Sequence, residues 1–265
     1  MNMNKELIKN KLFALIQFLI PFIVVIVIWE IIVYFGLIGQ LPAPSAIYNK
    51  FVYLMFEKNI LTNHIYGSLY RLILGYILAI ILGIVVGSII SLKKIISDML
   101  TPMLSLFIAI PTIAWVPVLL ITLGLGDKTV IAAVFLGGFF AITYSTMHGI
   151  RMVDKNLINA AKISGAKKLS MFISIFLPGS LVSLIPGLRL AIGYSWRALV
   201  GAEMLAAMVK WGVGKMIYTS RFWNDVEAMF LGLVIIGIGG LLLDQLLMRY
   251  IERVTVERWG MVSEG

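Results

Sequence analysis

Five charged residues stand inside stretches that are otherwise apolar: Arg71, Arg189, Arg197, Glu203 and Asp244. A charge in the middle of a membrane span costs about 2.5 to 3.5 kcal/mol on insertion scales, so such residues default to ion-paired or functional groups. Arg189 and Arg197 are eight residues apart, near one face of an α-helix, with Tyr194 and Trp196 between them. Two guanidinium groups so placed offer forked donors to a small anion. The competing reading is pairing within the bilayer, Arg197 with Glu203 or an arginine with Asp244. Arg71 falls near the outer end of its apolar run, where a long side chain snorkels to the interface and serves structure.

Groups for covalent or acid–base catalysis are scarce. The chain has no cysteine, which removes disulfides, thiolate metal sites and cysteine nucleophiles, and its two histidines are far apart in sequence. His64 opens an apolar run and His148 closes one, neither within an HExxH pattern, and both read as interfacial packing residues. A Gly-x-Ser-x-Gly elbow is missing as well. The nearest approach to a phosphate-binding loop is Gly214-Lys215, but Val209 stands where its first glycine belongs and Met216 where its hydroxyl belongs. The sequence therefore reads as no enzyme, with no cofactor or metal of its own.

What must position these charges is a set of membrane helices. Sixty per cent of the 265 residues are hydrophobic and 13% are charged, and the mean hydropathy is +0.99, well beyond soluble domains. An all-α polytopic protein follows, with six transmembrane helices of about 20 residues or more. The first, 12–35, follows a short basic segment, 1–11, and is too long for a secretory signal core. Pro21 lies near its cytoplasmic end, Trp29 and Tyr34 toward the far interface, and Glu30 reads as an interfacial or helix-paired carboxylate. An extracytoplasmic connector, 36–63, contains Pro42 and Pro44 ahead of a short amphipathic stretch along the outer surface. Residues 64–250 hold the other five spans, expected at His64–Ser91, Met99–Leu123, Thr129–Gly149, Ile173–Glu203 and Val226–Tyr250, and 251–265 form a tail.

Small residues mark where these helices meet. Gly75, Ala79, Gly83 and Gly87 recur every four residues, the spacing that lets helix backbones approach closely in lipid, and Gly237, Gly239 and Gly240 read the same way. Pro111 and Pro117 are expected to bend the third span. Orientation follows from the loop charges. Lys5, Lys9, Lys11, Lys93, Lys94, Arg151, Lys155, Lys162, Lys167, Lys168, Arg249, Arg253 and Arg258 fall on one side, and Lys50, Lys58, Lys128, Lys210, Lys215 and Arg221 on the other. This 13 to 6 ratio puts both termini in the cytoplasm and explains most of the net charge of +9. Spread over several membrane-adjacent segments, the cations suit lipid headgroups rather than nucleic acid.

One polar segment stands apart, the loop within 151–178. It reads Asn159-Ala160-Ala161, three residues, Gly165, nine residues, Ile175, one residue, then Leu177-Pro178. A short helix with small residues, a turn glycine and a proline at re-entry to the bilayer suits seating in the groove of a partner. The spacing resembles the EAA loop of bacterial ABC-importer permeases, which docks into the ATP-hydrolysing subunit. The resemblance extends over nearly the whole chain, through LPAPS (41–45), SLYRLILGY (68–76), PTIAWVPVLLITLGLGD (111–127), HGIR (148–151), LPGSLVSLIPGLRLAIGYSWRALVGAEML (177–205) and GVGKMI (212–217). It is similar to the nitrate, sulfonate, taurine and bicarbonate branch. Asn159 departs from the glutamate of the family pattern.

The resemblance implies a type I importer permease fold in the bacterial inner membrane. It implies two permease subunits, usually identical, two cytoplasmic ATPase subunits that bind ATP and Mg, and an external substrate-binding protein. Asn159, Ala160, Ala161, Gly165, Ile175, Leu177 and Pro178 would then form the coupling loop. Arg189, Tyr194, Arg197 and Glu203 would line the translocation path of a small, anionic solute. A passive channel or gradient-driven carrier remains the alternative, although it would leave the coupling loop unexplained and the sequence shows no inverted repeat.

Overall fold

The computed structural model describes residues 2–37, 39–91, 93–205 and 209–252, so the expected tail beyond 252 lies outside the described residues. The chain is built of helices α1 (Asn2–Tyr34), α2 (Pro44–Val52), α3 (Leu61–Ser91), α4 (Lys94–Ala109), α5 (Val116–Leu123), α6 (Asp127–Arg151), α7 (Lys155–Ile163), α8 (Lys168–Met171), α9 (Leu177–Leu205), α10 (Val213–Phe222), α11 (Val226–Leu242) and α12 (Arg249–Glu252). Among the described residues, four helical stretches are long and apolar enough to cross a membrane: Leu61–Ser91, Asp127–Arg151, Phe172–Leu205 and Val226–Ile251. A bent pair, Lys94–Ala109 and Thr112–Leu123, meets at 89° and makes a fifth crossing if its two halves form one span. Of the expected first span, 12–35, the apolar helix found is Ile20–Tyr34, shorter than the other four, so the described residues give four crossings, or five with the bent pair, against the six expected.

The core is α6 packed between α3 and α9. Without a hydrophobic driving force in lipid, close backbone packing holds such helices together. The glycine ladder of α3 supplies it. A Cβ on Gly75 would fall 2.7 Å from the Ile131 carbonyl oxygen, one on Gly83 2.8 Å from Ile142 Cγ2, and one on Gly87 2.5 Å from the Thr143 carbonyl oxygen. Ala79, fully buried, completes the row. Gly137 and Gly138 of α6 make the matching approach to Ser195 of α9, whose hydroxyl donates 2.9 Å to the Val134 carbonyl. In the last span Gly239 and Gly240 lie against the Trp196 ring, whereas Gly237 faces open space.

The third span is broken rather than bent. Ile110 and Pro111 are both extended, so α4 ends at Ala109 and a 3₁₀ turn, Thr112–Trp115, starts the second half. Pro117 sits in the first turn of α5, where a missing N–H costs nothing, and bends no helix. The connector closes over one end of the bundle. Glu30 turns out to cap α2: its carboxylate accepts from the Ser45 amide at 3.1 Å and the Ser45 hydroxyl at 2.7 Å. Lys50 of α2 pairs with Asp225, itself the N-cap of α11 through the Ala228 amide. Trp29 is half-buried and tilts against Phe230 at 5.8 Å.

The ladder makes a differential prediction. Gly75→Ala places a methyl against a backbone oxygen that cannot retreat, and should lower stability by about 1 to 3 kcal/mol. Gly237→Ala, with space available, should raise it by about 0.5 to 1 kcal/mol. Denaturation of the purified protein in detergent, followed by circular dichroism, separates the two.

Candidate coupling segment and intramembrane site

Leaving α6, the chain stays pinned to the bundle through Val153 and then stands clear of it. Arg151 Nη1 bonds Asp98 Oδ1 at 2.8 Å and the Ser97 hydroxyl at 2.9 Å, tying the end of α6 to the start of α4. Val153 is buried against Gly179, and Gly149 meets Ser180, so the two ends of the loop are held side by side. Asp154 then caps α7 by accepting from the Asn156 amide at 2.8 Å. Helix α7 buries none of its residues, and it exposes Leu157 and Ile163, which is 88% accessible.

Gly165 ends α7 for a backbone reason. Its φ is +75°, the Gly165 amide bonds the Lys162 carbonyl and the Ala166 amide bonds the Ala161 carbonyl, the paired contacts of a Schellman motif. A Cβ there would meet nothing within 4 Å, so the demand is for left-handed backbone, not space. Asn159 and Ala160 are exposed on α7, with Ala161 half-buried. Ile175 lies in a wide π-helical turn, Phe172–Phe176, that runs directly into Leu177 and Pro178 at the start of α9. Proline removes an i→i−4 bond and crowds the carbonyl four residues back, and the widened turn just before Pro178 accommodates both.

At the opposite end of the bundle the charges form a buried knot. Glu203 is fully buried, accepting from Arg71 Nη1 at 2.7 Å, the Ser68 hydroxyl at 2.9 Å and the Gly214 amide at 3.0 Å. Arg71, 4% exposed, also donates to Asp127 Oδ1 at 2.7 Å and the Trp211 carbonyl at 2.6 Å. Ser68 accepts from the Val213 amide at 2.9 Å, and His64 Nδ1 lies 2.7 Å from the Gly212 carbonyl with its ring edge-on to Trp211. Gly212 and Gly214 have no space for a side chain: a Cβ on either would fall within 3 Å of Glu203.

Two expectations are corrected here. Arg71 does not snorkel; it is enclosed because Glu203 and Asp127 neutralise it where it stands. Glu203 pairs with Arg71 and not with Arg197, and its full burial removes it from any path. Sequence reasoning singled out Gly212–Ile217 only as a motif; the signal it missed was two glycines flanking one residue, placed to wrap a carboxylate. His148 is exposed and stacked on Tyr144, in keeping with a packing role.

Arg189 forms a two-pronged pair with Asp244, Nε to Oδ1 at 2.6 Å and Nη2 to Oδ2 at 2.8 Å. Arg197 is exposed and has no ion-pair partner among the described residues. It borders two cavities. One, of about 380 Å³, lies in the elbow of the broken span, with Phe107, Pro111 and Phe140 in its walls. The other, of about 310 Å³, contains Arg189, Asp244 and Trp196. Tyr194 and Arg197 line both.

Among the described residues the architecture is an all-helical bundle with a sharply bent helix pair and a capped helix held outside the core, the fold class of type I importer permeases. The chain belongs to the family described as "binding-protein-dependent transport system inner membrane component", whose model matches residues 79–256. It is similar to a probable ABC transporter permease of Brucella melitensis, 32% identical over 81% of this chain and 86% of that one. A putative aliphatic sulfonates transport permease of Bacillus subtilis is 29% identical, over 91% and 87%. A nitrate import permease of Synechocystis is also 29% identical, over 88% and 86%. In fold it matches a chain of the MetNI methionine ABC transporter in an inward-facing conformation, with a TM-score of 0.63, 17% identity, and coverage of 74% of this chain and 96% of that one. The protein is thus the permease subunit of an ABC importer, a family whose members work with ATPase and binding-protein partners.

The buried knot yields a test. Arg71→Leu strands the Glu203 carboxyl in its enclosed site without a counter-ion, and should destabilise the protein by about 3 to 5 kcal/mol. Arg71→Leu combined with Glu203→Leu should cost less than the sum of the single changes, as read from a double-mutant cycle of denaturant unfolding.

Proposed function

We propose that this subunit pairs with a second copy of itself in the inner membrane and carries a small anion inward, driven by ATP hydrolysis in a separate cytoplasmic subunit. ATP and Mg belong to that partner, and this chain needs no cofactor. Residues 64–250 act as the transmembrane domain and 151–178 as its coupling loop. The observation that carries the reading is α7: a capped, Schellman-terminated helix with exposed Leu157 and Ile163, held out from the bundle on a loop whose base is clamped by Arg151, Val153 and Gly179. Such a helix transmits force only if its seat is on another molecule. The loop charges favour a cytoplasmic α7 and cytoplasmic termini.

The knot around Glu203 then lies at the outer end, where a binding protein delivers substrate. ATP binding closes the motors, α7 moves with them, and the spans turn outward to receive the solute; hydrolysis resets the pore. An anion is favoured by Arg197, which has no ion-pair partner among the described residues, and by the sulfonate and nitrate named for two relatives. Bicarbonate and taurine belong to the same range of solutes.

The experiment is co-purification of the tagged chain with the ATPase encoded beside it, followed by vanadate-sensitive ATP hydrolysis in liposomes. The native chain should bring the ATPase down. Gly165→Asp should insert normally yet lose coupling, because a side chain at φ +75° strains the turn that sets α7. Normal transport by a correctly inserted Gly165→Asp protein would sink the assignment of this loop, and solute passage by the native chain alone would establish a channel or carrier instead.

A further inference from the structure

We infer that Arg197 is the charge-selecting group of the path, and that it takes a small oxyanion presenting two or more oxygens, of the sulfonate, nitrate or carbonate kind. This rests on the importer reading above and deepens it. The sequence offered Arg189 and Arg197 as equals; the structure separates them. Asp244 occupies both prongs of the Arg189 fork, so the cavity they share carries no charge from that pair. Arg197, two helical turns on, brings a full positive charge to the same cavity and has no carboxylate against it among the described residues.

The surroundings make that charge decisive. The elbow cavity is walled mainly by Phe107, Ile110, Pro111, Leu136 and Phe140, so an ion entering it loses water without gaining polar contacts from these walls. Arg197, the Tyr194 hydroxyl and Thr112 are the polar side chains available there. A guanidinium offers two parallel N–H donors to two oxygens of one anion, the geometry a sulfonate or nitrate supplies and a halide does not. Because Tyr194 and Arg197 line both cavities, one long side chain can hold a ligand in either, through the hinge of the broken span. A fixed uncompensated cation in a narrow apolar path also repels cations.

The test uses the whole importer, this permease with its ATPase and binding protein, in liposomes, with nitrate, ethanesulfonate and taurine as probes. Arg197→Gln should cut ATP-driven uptake of the transported probe about tenfold or more, and Arg197→Lys should restore part of it. The thermal midpoint of Arg197→Gln should match the native value, since no partner is orphaned, while Arg189→Gln should lower it by stranding Asp244. In parallel, p-hydroxyphenylglyoxal should modify Arg197 ahead of Arg189, as read by mass spectrometry, and nitrate or ethanesulfonate should protect it. Unchanged uptake by Arg197→Gln, or modification of Arg197 that neither anion slows, overturns the assignment while leaving the importer reading in place. Absence of any ATP-dependent uptake by the native complex overturns the importer reading itself, and protection of Arg197 from modification then upholds the anion site separately.

Discussion

The buried ion pair between Arg71 and Glu203 is the constraint on which the end of this molecule opposite α7 depends. Neither charge tolerates removal from water unless the other stands beside it and the remaining donors and acceptors are filled. They are filled from four directions: Ser68 on the same helix as Arg71, Asp127 at the start of α6, Glu203 at the end of α9, and the backbone of 211–214 leading into α10. One electrostatic requirement thereby fixes the mutual positions of the three core helices and the chain that follows them. The glycines at 212 and 214 follow from it, because the carboxylate lies where their side chains would be.

This densely bonded end contrasts with the end that carries α7. There the clamp is confined to the base of the loop, through Arg151 with Asp98 and Ser97 and through Val153 with Gly179, and the helix beyond it buries nothing. The bundle between them is held by backbone-to-backbone packing at small residues, which transmits displacement because close-packed helices have little slack. If α7 seats on a partner as proposed, a push on it acts first on the junction of α6 and α9, where Val153 meets Gly179 and Gly149 meets Ser180.

The three arginines of the spans show how one residue type takes three roles by context. Arg71 is enclosed and neutralised, Arg189 is half-exposed and neutralised by Asp244, and Arg197 is exposed and left charged. The division separates arginines held by carboxylates from one that has no ion-pair partner among the described residues and borders both cavities on α9.

The family came from motifs along the chain; from composition and pattern alone came the helical class, the packing face of α3 and the turn at Gly165. These are legible because they depend on period, hydropathy and local turn chemistry, which act between residues close in the chain. The partners of the charges were not legible. Arg71 and Glu203 are 132 residues apart and meet only through the order of packed helices, so the nearer Arg197 looked the better match for Glu203. Glu30, ambiguous in sequence, found its role only when α2 folded back to place the Ser45 amide over it. The break at Ile110–Pro111 was foreshadowed as a bend, but its 89° angle and the cavity in its elbow were decided by how α6 packs against both halves and α9 against the second. Charge pairing in a low-dielectric interior is a matter of a few ångströms, and those distances belong to the tertiary structure.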